Sequence, residues 1–421
     1  MGNTITEKII ALKSEQKKVN PGEFHQIKVD RVMIHDLFGP FVIQQFRKMG
    51  FKKVWDPTRV VFIFDHLVPA NTIEAARHFQ EIFNFADKMN ISNVFEAEGI
   101  CHQIMPEKGF VYPGDVIMGT DSHTCTYGAF GSFSTGIGYT EMAAILGTGE
   151  IWVKVPETIL FKLSGKLPSG VDAKDIILKI IGDIGTDGAT YKTMEFCGDG
   201  IAGLTMSERM TICNMAVEAG AKNGIIPVDK TTSSYYYQYS LSTDKYLTIS
   251  SDDDDAVCHS TYEYDLSKLE PMVSCPHTVG NVKPVSKVSG YKIHQAFLGS
   301  CTNGRLEDLR IAASIIRGRR INPQVRFIVT PASRKIYREA IREGLVQILI
   351  DSGAIVTHPG CGLCAGNGGI IGDGERMISS NNRNYIGRMG SKDSEVFLGS
   401  PATVAASALT GYIVDPREFI R

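Results

Sequence analysis

Short apolar runs that stop at polar, glycine-flanked loops, each followed by an amphipathic stretch, recur along this chain and limit what it can fold into. Val60 to Phe64 reads VVFIF and ends at Asp65 and His66. ANTIEAARHFQEIFNFADKM follows with helical spacing, and Asn71 with Glu74 reads as its capping pair. Further on, HQAFL leads through GSCTNGR into LEDLRIAASIIRG, and VRFIV leads through TPAS into RKIYREAIREGLVQILIDSG. Strand, loop and helix in this order predict an α/β fold. In such a fold, polar residues just past each strand line a crevice at the carboxyl ends of the sheet.

The 421 residues give room for several such layers. KVPETILFKLSGKLPSGVDAKD marks a change near residue 160, and the polar stretch from Asp229 to about Pro284 reads as a connector. The expected domains are therefore 1–160, 161–284 and 285–421. The run Asp252 to Asp255 is read as a solvated loop, since it lacks the regular ligand spacing of a calcium site. No short-period repeat is visible.

Charge narrows the range of partners. Lys plus Arg (44) nearly balances Asp plus Glu (46), so neither nucleic acid nor an anionic membrane surface is expected, and a small molecule or another protein is. The opening residues MGNTITEKIIALKSEQKK do not read as a leader, no apolar run is long enough to span a membrane, and the expected location is cytoplasmic. Nine cysteines, an odd number, argue for reduced thiols rather than a disulfide framework.

HPGCGLCAGNGG puts Cys361 and Cys364 three apart among glycines. A Cys-x-x-Cys pair alone is shared by zinc, redox and iron-sulfur sites. Cys301, in GSCTNGR, is the natural third ligand because it lies on a similar loop after an expected strand. Three thiolates leave one iron of a cubane without a protein sulfur, and an open coordination position makes a metal centre a Lewis acid. Thr205 and Glu208 form a capping box for a helix ending near Gly220, in which Asn214 and Glu218, four apart, share a face.

Taken together, FDHLVP, GICHQ, GTDSHTCTYGAFG, GSCTNGR, HPGCGLCAG and NNRNYIGR resemble the aconitase superfamily of iron-sulfur hydro-lyases, from about residue 20 to the end. The resemblance implies three α/β domains around a central 4Fe-4S cluster, one per subunit, held by Cys301, Cys361 and Cys364. It also implies that Asp65 and His66 are an orienting carboxylate and an imidazole acid, that His102 with Asp121 forms a second such pair, and that His123 with Glu218 forms a third. His35, Ser122, Asn214, Asn382, Arg383 and Arg388 fall at substrate-binding positions of the family. Arginine's planar donor fork suits the carboxylates of a dicarboxylic substrate.

The implied activity is dehydration and rehydration of a hydroxy-dicarboxylate. Foremost is the interconversion of 2- and 3-isopropylmalate through isopropylmaleate, a step of leucine biosynthesis; dimethylmalate, methylmalate and homoaconitase-type substrates are the alternatives. Full-length aconitases continue into a mobile fourth domain with a serine base and a further substrate arginine, whereas this sequence stops at Arg421. The expectation is a separate small subunit supplying that domain, the base and much of the specificity. Leu37 and Phe38 depart from the small residues expected after the His-Asp pair in isopropylmalate enzymes, which favours a different substituent on the substrate. An electron carrier would be expected to have a fourth cysteine at cluster spacing, an RNA-binding role a basic surplus, and a structural zinc module a fourth ligand of its own.

Overall fold

Val60–Phe64 is buried along its whole length inside a five-stranded sheet. Val94–Glu96 flanks it on one side, and Arg31–His35, Val116–Gly119 and Phe133–Gly136 follow on the other, every adjacent pair parallel. Alternate strand residues (Val32 and Ile34, Phe62 and Phe64, Val116 and Met118) enter one core with Val42 and Phe46 of helix Gly39–Lys48, Ile82 and Phe85 of Ile73–Lys88, and Met142 and Ile145 of Tyr139–Thr148. The period of two in the strands meets the helices' apolar stripes, which is why the alternating sequence folds as layers.

The structure, a computed structural model, describes residues 2–242, 249, 252–253 and 255–420. The chain divides into two units: Met1–Ala97, Cys101–Leu163 and Ala189–Tyr264 form the first, and Glu98–Ile100, Ser164–Gly188 and Asp265–Arg421 the second. The first unit adds a four-stranded sheet in the order Asn223–Ile225, Thr193–Cys197, Thr158–Ser164, Ser260–Asp265. The second unit carries a seven-stranded sheet ordered Val282–Pro284, Met272–Ser274, Glu395–Leu398, Arg376–Ser379, Gln295–Leu298, Arg326–Val329, Ile355–Val356. Its last five members are parallel to one another.

Both parallel sheets share a topology that the sequence does not display. Counted along the chain, the strands of each lie in the spatial order 3-2-1-4-5. Chain direction across the sheet reverses between the first strand and the fourth, and the loops leaving those two strands part to open a crevice. In the first unit these are the loops after His35 and Gly119; in the second, those after Leu298 and Ser379.

Local expectations needed four corrections. The helix after Val60–Phe64 is capped by Thr72, whose side chain accepts from the Ala75 N–H, and not by the Asn71–Glu74 pair; the chain is still extended at Thr72, so its hydroxyl is the one aligned with the first turn. The single long helix expected from Arg334 is two, Arg334–Arg342 and Leu345–Ser352, because Gly344 adopts a left-handed conformation with φ 71°. Among the described residues, the connector from Asp229 contains regular elements: Asp229 caps helix Lys230–Gln238, and three short strands follow. Asp252 and Asp253 are not merely solvated, since they accept the Ile5 and Asn3 N–H groups at 2.7 Å at the start of helix Ile5–Lys13, where a negative charge is favoured; Asp254 lies outside the described residues. Among the described residues, no helix is long and apolar enough to cross a membrane.

One close approach fixes the loop that carries several candidate residues. A Cβ on Gly128 would stand 1.7 Å from the Gly224 carbonyl oxygen, and the Gly128 carbonyl accepts the Ile226 N–H at 3.0 Å. Gly128→Ala must therefore push two backbone segments apart. The expected cost is about 1–3 kcal/mol or more, read as a lower urea midpoint with an unchanged slope.

Candidate active site

In the first unit, the loops at the carboxyl ends of the parallel strands bring acids and imidazoles together. Asp65 and His66 follow Phe64, and Asp65 is held by the Cys101 N–H at 2.7 Å while its other oxygen accepts from His66 Nδ1 at 2.7 Å. Asp36, which the sequence analysis did not select, receives the His66 and Leu67 N–H groups at 3.1 and 2.7 Å and so fixes the loop that presents the imidazole. Asp121 opens the segment Ser122–Phe130 as its N-cap, accepting from the His123 N–H at 2.7 Å. The same carboxylate accepts from His102 Nε2 at 2.9 Å and lies 3.5 Å from His66 Nε2.

The charge states follow from these contacts. Burial works against ionisation of Asp121, but hydrogen bonds from His102, His123 and His66 outweigh it and hold the carboxyl well below its ordinary range. Burial likewise opposes a charged His66, yet the Asp65 charge and the hydrogen bonds to Asp121 and Asp65 hold that imidazole well above its usual value. His35 goes the other way: burial, then the charge on His66, push it down to about 4, so it is neutral at pH 7. Its Nε2–H donates to the Thr120 carbonyl at 3.2 Å, which leaves the lone pair on Nδ1, buried and without a partner among the described residues. The His35 ring stacks on His66 at 4.3 Å.

His123 Nε2 donates to Glu218 at 2.8 Å, and the Asn214 amide donates to Thr126 at 2.8 Å. The expected shared helical face is modified: the α-helix Met206–Met215 tightens into a 3₁₀ turn, Ala216–Ala219, before Gly220. Both side chains nonetheless meet the Ser122–Phe130 segment. Ser122 is half-buried, and its hydroxyl has no hydrogen-bond partner among the described residues. Within the first unit, the structure thus brings the expected acid–imidazole pairs into hydrogen-bond contact and links them through Asp121.

In the second unit, Cys301 follows Gln295–Leu298, Cys361 is the N-cap of the short turn Gly362–Ala365 and Cys364 lies within that turn, and all three are buried. The Asn382 amide lies between two of them: its Nδ2 donates to Cys301 Sγ at 3.3 Å and its Oδ1 accepts from Cys364 Sγ at 3.8 Å. Arg388 donates to Cys364 Sγ at 3.5 Å, and Arg383 is half-buried on the same loop. Donors aimed at buried sulfur suit thiolates bound to a metal rather than idle thiols. Among the described residues, the groups of three possible ligand atoms within 4.8 Å of one another are His35–His66–Asp121 and Asp36–Asp65–His66, so the three sulfurs do not converge as they would on one zinc ion, where bonds of about 2.3 Å put them about 4 Å apart. They suit a larger, multinuclear group.

A second helper missed in the sequence is Arg305, which is buried and donates to the Thr302 and Cys301 carbonyls at 2.6 and 2.7 Å, pinning the Cys301 loop. Asp308 accepts from Asn303 and the Arg305 N–H nearby, and burial raises its carboxyl to about 6. Its unfolded value is near 3.8, so between pH 3.8 and 6 the unfolded chain has lost a proton that the folded chain keeps. Stability contributed by this group therefore falls as pH rises through that window, by up to about 3 kcal/mol, and is flat above it. Urea unfolding of wild type and Asp308→Asn from pH 4 to 7 should show that slope in the wild type and its loss in the variant.

The family model described as "Aconitase family (aconitate hydratase)" matches residues 7–290 and 281–411. The chain belongs to the aconitase family. Among its relatives is the probable 3-isopropylmalate dehydratase large subunit of Methanothermobacter thermautotrophicus, 49% identical over 99% of both chains. The 3-isopropylmalate dehydratase large subunit of Thermodesulfovibrio yellowstonii is also 49% identical over 99% of each. A probable methanogen homoaconitase large subunit from the same Methanothermobacter strain is 50% identical over 98% of this chain and 97% of its own. This aconitase-family chain is matched along essentially the full length of each.

Proposed function

We propose that the chain is the large subunit of an isopropylmalate-isomerising hydro-lyase, with a 4Fe-4S cluster on Cys301, Cys361 and Cys364. The observation that carries this reading is full-length identity of nearly one half to relatives named 3-isopropylmalate dehydratase large subunit. The cluster, with one iron free of protein sulfur, supplies Lewis acidity toward the substrate's hydroxyl and a carboxylate.

The chain's own residues do the rest. His66 is kept protonated by Asp65 and Asp121 and donates to the departing hydroxyl, the role for which a raised imidazole pKa is suited. Asp36, Asp65 and the Cys101 N–H keep the ring from turning. His35 offers a fixed neutral lone pair at Nδ1, an acceptor for a hydroxyl or a protonated carboxyl. Asn382, Arg383 and Arg388 bind carboxylate oxygens, Ser122 and Asn214 add polar contacts, and His102 and His123, hydrogen-bonded to Asp121 and Glu218, hold the Asp121 carboxylate in place beside His66. A small subunit, implied by the relatives' description as large subunits, supplies the base that removes the carbon-bound proton and part of the substrate pocket. The setting is cytoplasmic, where the thiols stay reduced.

Homocitrate chemistry is the second reading, favoured by the homoaconitase-named relative at 50% identity. The exposed Leu37 and Phe38, with the Phe38 ring 5.2 Å from the ring of His35, offer no partner for the further carboxylate of homocitrate, and their bulk makes the smaller methylated malates the competitors to test against isopropylmalate. The test is anaerobic: the chain is copurified with its small subunit, and alkene absorbance is followed with isopropylmalate, dimethylmalate, methylmalate and homocitrate. Isopropylmalate should give a kcat/KM at least about 100-fold above the others, a ratio of the order that alkyl-group discrimination can supply. Faster turnover of homocitrate would sink the first reading and leave the second.

A further inference from the structure

Lys174 is fully buried near the start of helix Ala173–Ile184, and among the described residues no carboxylate lies within ion-pair distance of its ammonium. A buried cation without a counter-charge is costly, so whatever compensates it is part of the design of the site. Its Nζ donates to two backbone carbonyls, Ser380 at 2.8 Å and Asn381 at 2.5 Å. These immediately precede Asn382, the residue whose amide touches the sulfurs of Cys301 and Cys364. The Ser380 carbonyl also accepts the Thr302 hydroxyl at 2.7 Å, which ties the loop after the fourth strand to the cysteine loop after the first.

We propose that Lys174 is a positioning residue for the thiolate centre: its ammonium fixes the backbone from which Asn382 and Arg383 project and supplies the buried positive charge that offsets the thiolates. The reading rests on the cluster assignment made above. Two further facts support it. Burial pulls the Lys174 ammonium down to about 8, so it is still charged at neutral pH, and Asp172 and the sulfurs of Cys301 and Cys364 are among the charges that act on it in the opposite sense. In addition, the helix start that carries Lys174 is rigid, closed by a reciprocal capping box between Asp172 and Asp175 whose second carboxylate oxygen accepts the Met272 N–H at 2.8 Å.

The test uses the full chain reconstituted anaerobically with iron and sulfide, and compares wild type with K174R, K174Q and K174M. The readouts are iron and sulfide content, the midpoint potential of the cluster followed by electron paramagnetic resonance, and the far-ultraviolet circular dichroism spectrum. Removing a buried positive charge disfavours the more negative, reduced cluster, so K174Q and K174M should show a midpoint potential shifted to more negative values, while K174R keeps the wild-type value. Normal folding with a cluster content at least tenfold below wild type in K174Q or K174M would equally support the positioning role. Wild-type potential and full loading in K174Q would overturn it. Should neither neutral variant fold, K174R decides: a wild-type potential supports the role of the charge, and a displaced one overturns it. Failure of the wild-type chain itself to take up iron and sulfide would instead overturn the cluster reading, and this inference with it.

Discussion

Cys364→Ser, reconstituted beside the wild type, is expected to hold less than a tenth of the wild-type iron and sulfide and to show no measurable turnover. The change replaces one buried atom, so folding should be intact; what is lost is the soft, ionisable ligand, since a serine hydroxyl does not deprotonate at neutral pH as a metal-bound thiol does. The Arg388 guanidinium, which donates to Cys364 Sγ at 3.5 Å, would also exchange an anionic acceptor for a neutral hydroxyl. The control is Cys213→Ser. Cys213 is fully buried in helix Met206–Met215, and burial, together with Cys125, pushes its thiol well above the usual value. Such a thiol behaves as a small apolar side chain, and its replacement should leave iron content at the wild-type level. Equal loss in both variants would show general damage to the fold and sink the ligand assignment.

His66→Asn should lower kcat by about 10²–10⁴-fold with iron content unchanged, the range expected when a positioned general acid is removed. The pH profile distinguishes this from a packing effect. The acid must carry its proton, so wild-type kcat should be flat at neutral pH and fall as pH rises through the raised His66 pKa. Asp65 is the first charge that raises that pKa, and it also holds Nδ1 at 2.7 Å. Asp65→Asn should therefore move the basic limb toward lower pH and cut kcat as well. A limb unchanged in Asp65→Asn would mean that a group other than His66 sets it.

Several elements of the fold were legible because their causes are local. VVFIF reads as a buried strand on apolarity and length alone, and the Thr205–Glu208 capping box forms as expected because its four residues need no distant partner. The misplaced cap at Thr72 and the break at Gly344 are also local, but each depends on a backbone conformation at one residue, which residue type constrains without fixing. The Asp229–Pro284 stretch was harder. Its strands are short, three residues each for Met272–Ser274 and Val282–Pro284, and these two gain their partners from each other and from Glu395–Leu398, over a hundred residues away.

The candidate site divides along the same line. The chain's order of residues determined which groups are present: three cysteines on glycine-flanked loops, and histidines and aspartates just past apolar strands. The resemblance paired Asp65 with His66, His102 with Asp121 and His123 with Glu218, but residue order alone did not show that Asp121 also approaches His66 or that Asp36 holds the His66 loop, because those groups follow different strands and are distant along the chain. The tertiary structure set Asp121 against His66 and His102, made Asp36 the anchor of the His66 loop, and placed the Lys174 ammonium under Ser380 and Asn381. The physical reason is the 3-2-1-4-5 strand order, found twice: pairing the first strand with the fourth is a non-local hydrogen-bonding choice, and the crevice that it opens decides which loop residues share one environment.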